Sequence, residues 1–127
     1  MMIVSNNPRV KSDKKINVFW IAGSYEDVLS KTKELIIDKK YRLLSHPLSG
    51  SIKPNETYYK SIMLDTRAYD YCDLESLEMI EQALTTYHKF IANKRRPNYS
   101  DEILADFAQV DYYLINSAIQ SAINYEK

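Results

Sequence analysis

Glycine is almost missing from this chain: Gly23 and Gly50 are the only two. Phosphate-cradling loops such as G-x-G-x-x-G and the P-loop need several glycines to bring backbone amides onto an anion, so both are excluded. Any phosphate must be held some other way. Cysteine is scarcer still. Cys72 stands alone, which rules out an internal disulfide, and no Cys/His array offers the ligands of a structural zinc site. A reducing, cytoplasmic setting is expected, with no metal and no cofactor identified. No segment approaches the ~18 to 20 apolar residues of a membrane helix, and residues 1–22 lack the apolar core of a signal peptide. Net charge is absent too. The 17 basic and 17 acidic side chains cancel, which removes the field that supplies non-specific nucleic-acid affinity. The one dense basic run, Lys94-Arg95-Arg96, precedes Pro97 and reads as cations at a helix C-terminus rather than as a nucleic-acid contact.

What is present suits a single α/β domain over residues 1–127, of which 45% are apolar. Met2-Ile3-Val4 reads as a first strand, stopped by Asn6-Asn7-Pro8, and residues 9–15 as a short helix. The apolar run 16–22 reads as a second strand buried on both faces. Gly23 ends it, and Ser24 with Asp27 three residues on is close to a capping box. Tyr25, Val28, Leu29, Thr32, Leu35 and Ile36 then recur at helical spacing and predict one apolar stripe. Residues 41–45 and 59–64 complete a set of four strands. A helix over 73–94 carries Leu77, Ile80, Leu84, Tyr87 and Ile91, and a last helix after Ser100 carries Ile103, Phe107, Val110, Leu114, Ala118 and Ala122. The expected architecture is a small three-layer Rossmann-like domain of about four mostly parallel strands, with a right-handed crossover and an antiparallel C-terminal helix pair.

The connection from Ser45 to Lys60, SHPLSGSIKPNETYYK, holds the densest chemistry. A plain strand connection needs about two to six residues, so a longer polar one suggests a binding loop. If the first three strands are parallel, Asn6-Asn7, Gly23-Ser24 and Ser45-His46 all leave the sheet along one rim, where open α/β sheets bind ligands. His46 is of the residue type suited to acid–base work, although bracing the loop through Pro47 is the simpler role. Ser45, Ser49 and Ser51 suit hydrogen bonding to an anion. Lys53 and Lys60 supply point charges, and Asn55 and Glu56 add amide and carboxylate capacity. The candidate ligand-binding residues are therefore Asn6, Asn7, Ser24, Ser45, His46, Ser49, Ser51, Lys53, Asn55, Glu56 and Lys60; no catalytic residue is identified. Asp65 alone is not a metal site. Tyr58 and Tyr59 suit stacking on a base or ring or, more simply, packing of one of the two at the strand start, and Tyr69, Tyr71 and Tyr112-Tyr113 suit packing or self-association.

Three motifs in this chain, Ser5-Asn6-Asn7-Pro8, His46-Pro47-Leu48-Ser49-Gly50 and Lys53-Pro54-Asn55-Glu56-Thr57, together resemble the GrdX family. The resemblance runs from residue 2 to about residue 120 and includes the acidic helix segment Leu74-Glu75-Ser76-Leu77. It implies a small protein encoded with glycine, sarcosine or betaine reductase in amino-acid-fermenting anaerobic bacteria, with no assigned catalytic residues. The leading reading is an accessory protein that binds a small anionic ligand or a reductase-system partner through the 45–60 loop. The second is a small enzyme using His46 as acid or base on a carboxylate- or phosphate-bearing substrate. The third is a homodimeric assembly factor joined through its tyrosines.

Overall fold

The computed structural model describes residues 1–48, 58–67, 69–93 and 98–126. Strands β1 (Met2–Ser5), β2 (Val18–Trp20), β3 (Arg42–Leu43) and β4 (Ser61–Asp65) form one sheet in the order β2-β1-β4-β3. Helices α1 (Pro8–Lys11), α2 (Tyr25–Asp38), α3 (Leu74–Asn93) and α4 (Asp101–Glu126) cover it. Successive side chains on a strand point to opposite faces, and the two central strands exploit this fully. Val4, Ile62 and Leu64 pack into a core with Val28, Leu29 and Ile36 of α2 and Ile80 and Ala83 of α3. Ile3 and Met63 point the other way, to Val10 of α1 and Ile115 of α4. Each fully buried large aliphatic side chain contributes roughly 1.5 to 3 kcal/mol, so the middle of the sheet anchors both layers.

The expectation of a mostly parallel, Rossmann-like sheet gives way at the pairing. β1 and β2 pair in parallel, but β4 lies between β1 and β3 and runs antiparallel to both. The sheet is therefore mixed, although β1, β2 and β3 still point in one direction. β2 is also not buried on both faces. It is an edge strand of half-buried residues, and lysines cover its aromatics: Lys11 Nζ lies 4.7 Å from the Trp20 ring centre and Lys31 Nζ 5.2 Å from that of Phe19. Long cationic side chains shield such rings while keeping their charge in water.

Helix α2 forms as its sequence directs. Ser24 Oγ accepts from the Asp27 amide and the Asp27 carboxylate accepts from the Ser24 amide, a complete capping box. A β-carbon on Gly23 would collide with the Asp27 carboxylate oxygen, so a side chain here would have to displace the carboxylate that closes the capping box. All six residues of the predicted stripe are buried. After the helix, Lys40 takes φ 58°, the left-handed conformation that stops a helix and more often belongs to glycine.

The C-terminal helices do not form the expected antiparallel pair. α3 joins α2 on one face, where the Tyr25 and Tyr87 rings stack at 5.3 Å, whereas α4 joins α1 on the other. The cause is β4, which is apolar toward both faces and needs a helix on each side. The stripe expected on α4 is rotated as well. Ala108 and Ile115 are buried, with Tyr112, Ala118, Ile119 and Ala122 partly so, while Val110, Ile103 and Leu114 are 56%, 45% and 39% exposed.

Ile80→Ala should destabilise the protein by about 2 to 5 kcal/mol in urea titration, because it empties part of the α2–α3 core. Val110→Ala on the outer face of α4 should change stability by no more than about 0.5 kcal/mol.

Candidate functional site

Because β1, β2 and β3 point the same way, the segments leaving them share one rim, and β4 enters the sheet from that rim at Ser61. Ser5 and Ser61 face each other across the β1–β4 ladder with their hydroxyl oxygens 2.8 Å apart. The direction of that bond follows from its neighbours. Ser61 Oγ donates its one proton to Asp111 Oδ2 at 2.7 Å, so Ser5 must donate to Ser61, and Ser5 Oγ in turn accepts from the Asn7 amide at 2.9 Å. A relay of bonds thus runs from Asn7 to Asp111. Such chains polarise and strengthen one another in a buried setting.

Asp111 closes the relay into a knot. Its Oδ1 accepts from the Ser61 amide at 3.1 Å and its Oδ2 also accepts from Asn7 Nδ2 at 2.9 Å. Asn7 Nδ2 donates further to the Ala108 carbonyl at 2.9 Å, and Asn7 Oδ1 caps α1 by accepting from the Arg9 amide at 3.0 Å. Asn6 does similar work one residue earlier. Its Nδ2 donates to the Gly23 and Tyr58 carbonyls, each at 3.1 Å, and its Oδ1 accepts from the Lys60 amide at 2.8 Å. The two asparagines therefore fasten the β1 corner to the β2 corner, to the start of β4 and to α4.

Ser45, His46 and Lys60 are brought together. With Ser61, Asp111 and Ile115 they line a cavity of about 30 Å³, about the space one water molecule occupies. Lys60 is only 3% exposed. Burial pushes its ammonium down to about 8 from 10.5, and the Asp111 carboxylate partly opposes that shift. Ser45 Oγ accepts from the Met63 amide at 2.9 Å, extending the contact between β3 and β4. The His46 ring is exposed, and its Nδ1 accepts from the Leu48 amide at 3.1 Å, which leaves the proton of the neutral ring on Nε2.

Of the other sequence candidates, Ser24 is taken up by the α2 cap. Ser49, Ser51, Lys53, Asn55 and Glu56 lie outside the described residues, as do Lys94, Arg95 and Arg96. Asp111 is the residue that sequence reasoning missed. The signal was available, since Ala108, Asp111 and Ile115 share one helical face, but the stripe chosen from periodicity meets the core only at its C-terminal end, through Ala118 and Ala122. At the opposite rim, Arg67 grips the Asp65 carboxylate through Nε and Nη2, with a shortest contact of 2.7 Å, and Tyr69 donates to it at 2.7 Å. These bonds, the Arg67 guanidinium first, hold the Asp65 carboxyl far below the usual carboxylate range. That acid is occupied by protein groups. Among the described residues no cluster of His, Cys, Asp or Glu is placed to hold a metal, and no helix is long and apolar enough to cross a membrane.

These features define a small mixed α/β protein whose strand ends are tied by buried polar side chains. Over residues 2–120 the chain matches the GrdX-like protein family, and it belongs to that family. No curated protein and no solved structure matches it.

The lysine gives a pH dependence of known sign. Below about pH 8 Lys60 is protonated in both states, and the folded protein bears the full cost of burying the charge. Between about 8 and 10.5 the folded state sheds the proton first, so the unfolded state binds more protons and stability rises with pH. Relative to Lys60→Met, the parent protein should gain up to about 3 kcal/mol across that window in urea titrations at stepped pH.

Proposed function

We propose that the protein is an accessory component of a glycine- or betaine-reductase type of system, working in the cytoplasm, and that it binds rather than transforms its ligand. The rim at Ser45, His46 and Lys60 takes one anionic oxygen, from a free carboxylate or phosphate or from an acidic side chain of a reductase-system partner. The observation that carries this reading is the cavity itself: buried Lys60 lines a space of about 30 Å³ together with Ser45 and His46, which suits a water-sized group such as one anionic oxygen. A substrate-sized cleft usually measures about 300 Å³ or more. The groups beside Lys60 support the same reading, because Ser61 and Asp111 are already hydrogen-bonded to each other and, through Asp111, to Asn7. His46 Nε2 adds a second donor at the exposed edge. Family membership supports the accessory role.

An enzymatic reading draws on one observation, that His46, Lys60 and Asp111 share a cavity lining. There His46 would move a proton on a carboxylate- or phosphate-bearing substrate. The volume weighs against it.

Calorimetric titration with phosphate and acetate, paired with capture of reductase subunits on the immobilised protein, separates the sources of the oxygen. Saturable phosphate or acetate binding that weakens at least tenfold in Lys60→Met assigns a free anion. Capture of reductase subunits by the parent protein and not by Lys60→Met, with no anion binding, assigns an acidic side chain. Neither result in a folded protein rejects the reading. His46→Ala should weaken binding while shifting stability by no more than about 0.5 kcal/mol.

A further inference from the structure

An apolar recess lies away from that rim, where Ile3 of β1 and Ile16 before β2 meet Ile119 and Ile123 of α4. These four isoleucines floor a cleft of about 340 Å³, within the range of small-molecule sites. Its margin is polar in a particular way. Asn116 and Gln120, one turn apart on α4, line the cleft, and their carboxamides make no hydrogen bond to other described residues. Lys15 adds an ammonium at the same margin. Asp13 lines the cleft too, its carboxylate engaged by the Tyr112 hydroxyl at 2.8 Å and by the Lys15 amide at 2.9 Å. The uncommitted groups are thus two amides and one cation above an aliphatic floor. An apolar pocket with a few convergent polar groups is the arrangement that orients a small ligand.

We propose that this cleft binds an aliphatic carboxylate of medium chain length, its hydrocarbon on the isoleucines and its carboxylate on Lys15, Asn116 and Gln120. Lysine supplies charge to the head group, and the carboxamides can each donate to one of its oxygens. An aliphatic alcohol of equal length would fill the same floor without using the cation. Acetate would use the cation without filling the floor. The site shares no residue with the Lys60 rim, so either can hold without the other.

Octanoate, octanol and acetate are the probes, titrated into the intact protein and followed by calorimetry and by two-dimensional amide NMR. Octanoate should bind saturably, at least tenfold more tightly than octanol or acetate, and should shift the amides of Ile16, Ile119 and Ile123. Lys15→Glu and Gln120→Glu change exposed positions and should each weaken octanoate at least tenfold, with unchanged thermal unfolding and with octanol binding retained. Lys60→Met should leave octanoate binding as it was. Equal binding of octanol and octanoate, or no effect of Lys15→Glu, would overturn the carboxylate assignment. Absence of saturable octanoate binding would overturn the site, as would a dimer in sedimentation that Ile123→Asp dissociates, which would give the cleft to a second copy of the chain.

Discussion

One carboxylate holds the molecule's layers in register. Asp111 projects from the middle of α4 and accepts three hydrogen bonds, two from Ser61 at the start of β4 and one from Asn7 at the end of β1. Charge-assisted bonds of this kind are about twice as strong as neutral ones, and each leaves an unsatisfied partner behind if broken. The contact is therefore directional where the surrounding core is not. Isoleucines and alanines let α4 slide or rotate by a fraction of a turn at modest cost, but an acid that must meet two serine donors and one asparagine does not. The knot also sets the environment of Lys60, whose charge is tolerated next to the sheet because Asp111 lies near it.

The second organising constraint is the double-sided burial of β4. Every one of its five residues is buried, so both faces demand a cover, and the chain supplies α3 to one and α4 to the other. α4 then carries more apolar surface than the sheet can absorb. Tyr113 is 69% exposed and Val110 56%, on the side turned from the core. α2 differs, since its apolar stripe is buried and Ile37, at 43% exposed, is the large aliphatic residue it leaves outside.

That contrast explains which parts of the fold could be read in advance. α2 was legible in full, because its cap, its stripe and its polar face are local properties of one segment. The stripe on α3 was legible for the same reason, with Ile80 and Tyr87 buried as spaced. α4 was not, because apolar residues occur on more than one of its sides and periodicity alone cannot choose among them; only the sheet's own pattern does. The antiparallel insertion of β4 was hidden too, since strand order depends on contacts between distant segments. For the site, the convergence of the Asn6-Asn7 and Ser45-His46 corners followed from strand direction and is present. Asn6, Asn7 and Ser24 hydrogen-bond protein groups there, through backbone, capping and, for Asn7, the Asp111 carboxylate. A sequence shows that a residue can hydrogen-bond; it does not show that the partner is the protein itself.

The position of β4 has a bearing on how the chain reaches this state on the ribosome. It is an interior member of the sheet, yet it is encoded after both β2 and β3, the two margins. Until it emerges, β1 and β2 form only a pair, which is marginal in water, and β3 has no neighbour to bond. The nascent chain must wait past its midpoint before the sheet can close, and longer for α4 to seal the second face. Long-range pairing of this kind slows folding because ordering precedes the contacts that reward it. With margins of three and two residues, the finished sheet leaves little template for pairing with another molecule, which limits that hazard once assembly is complete.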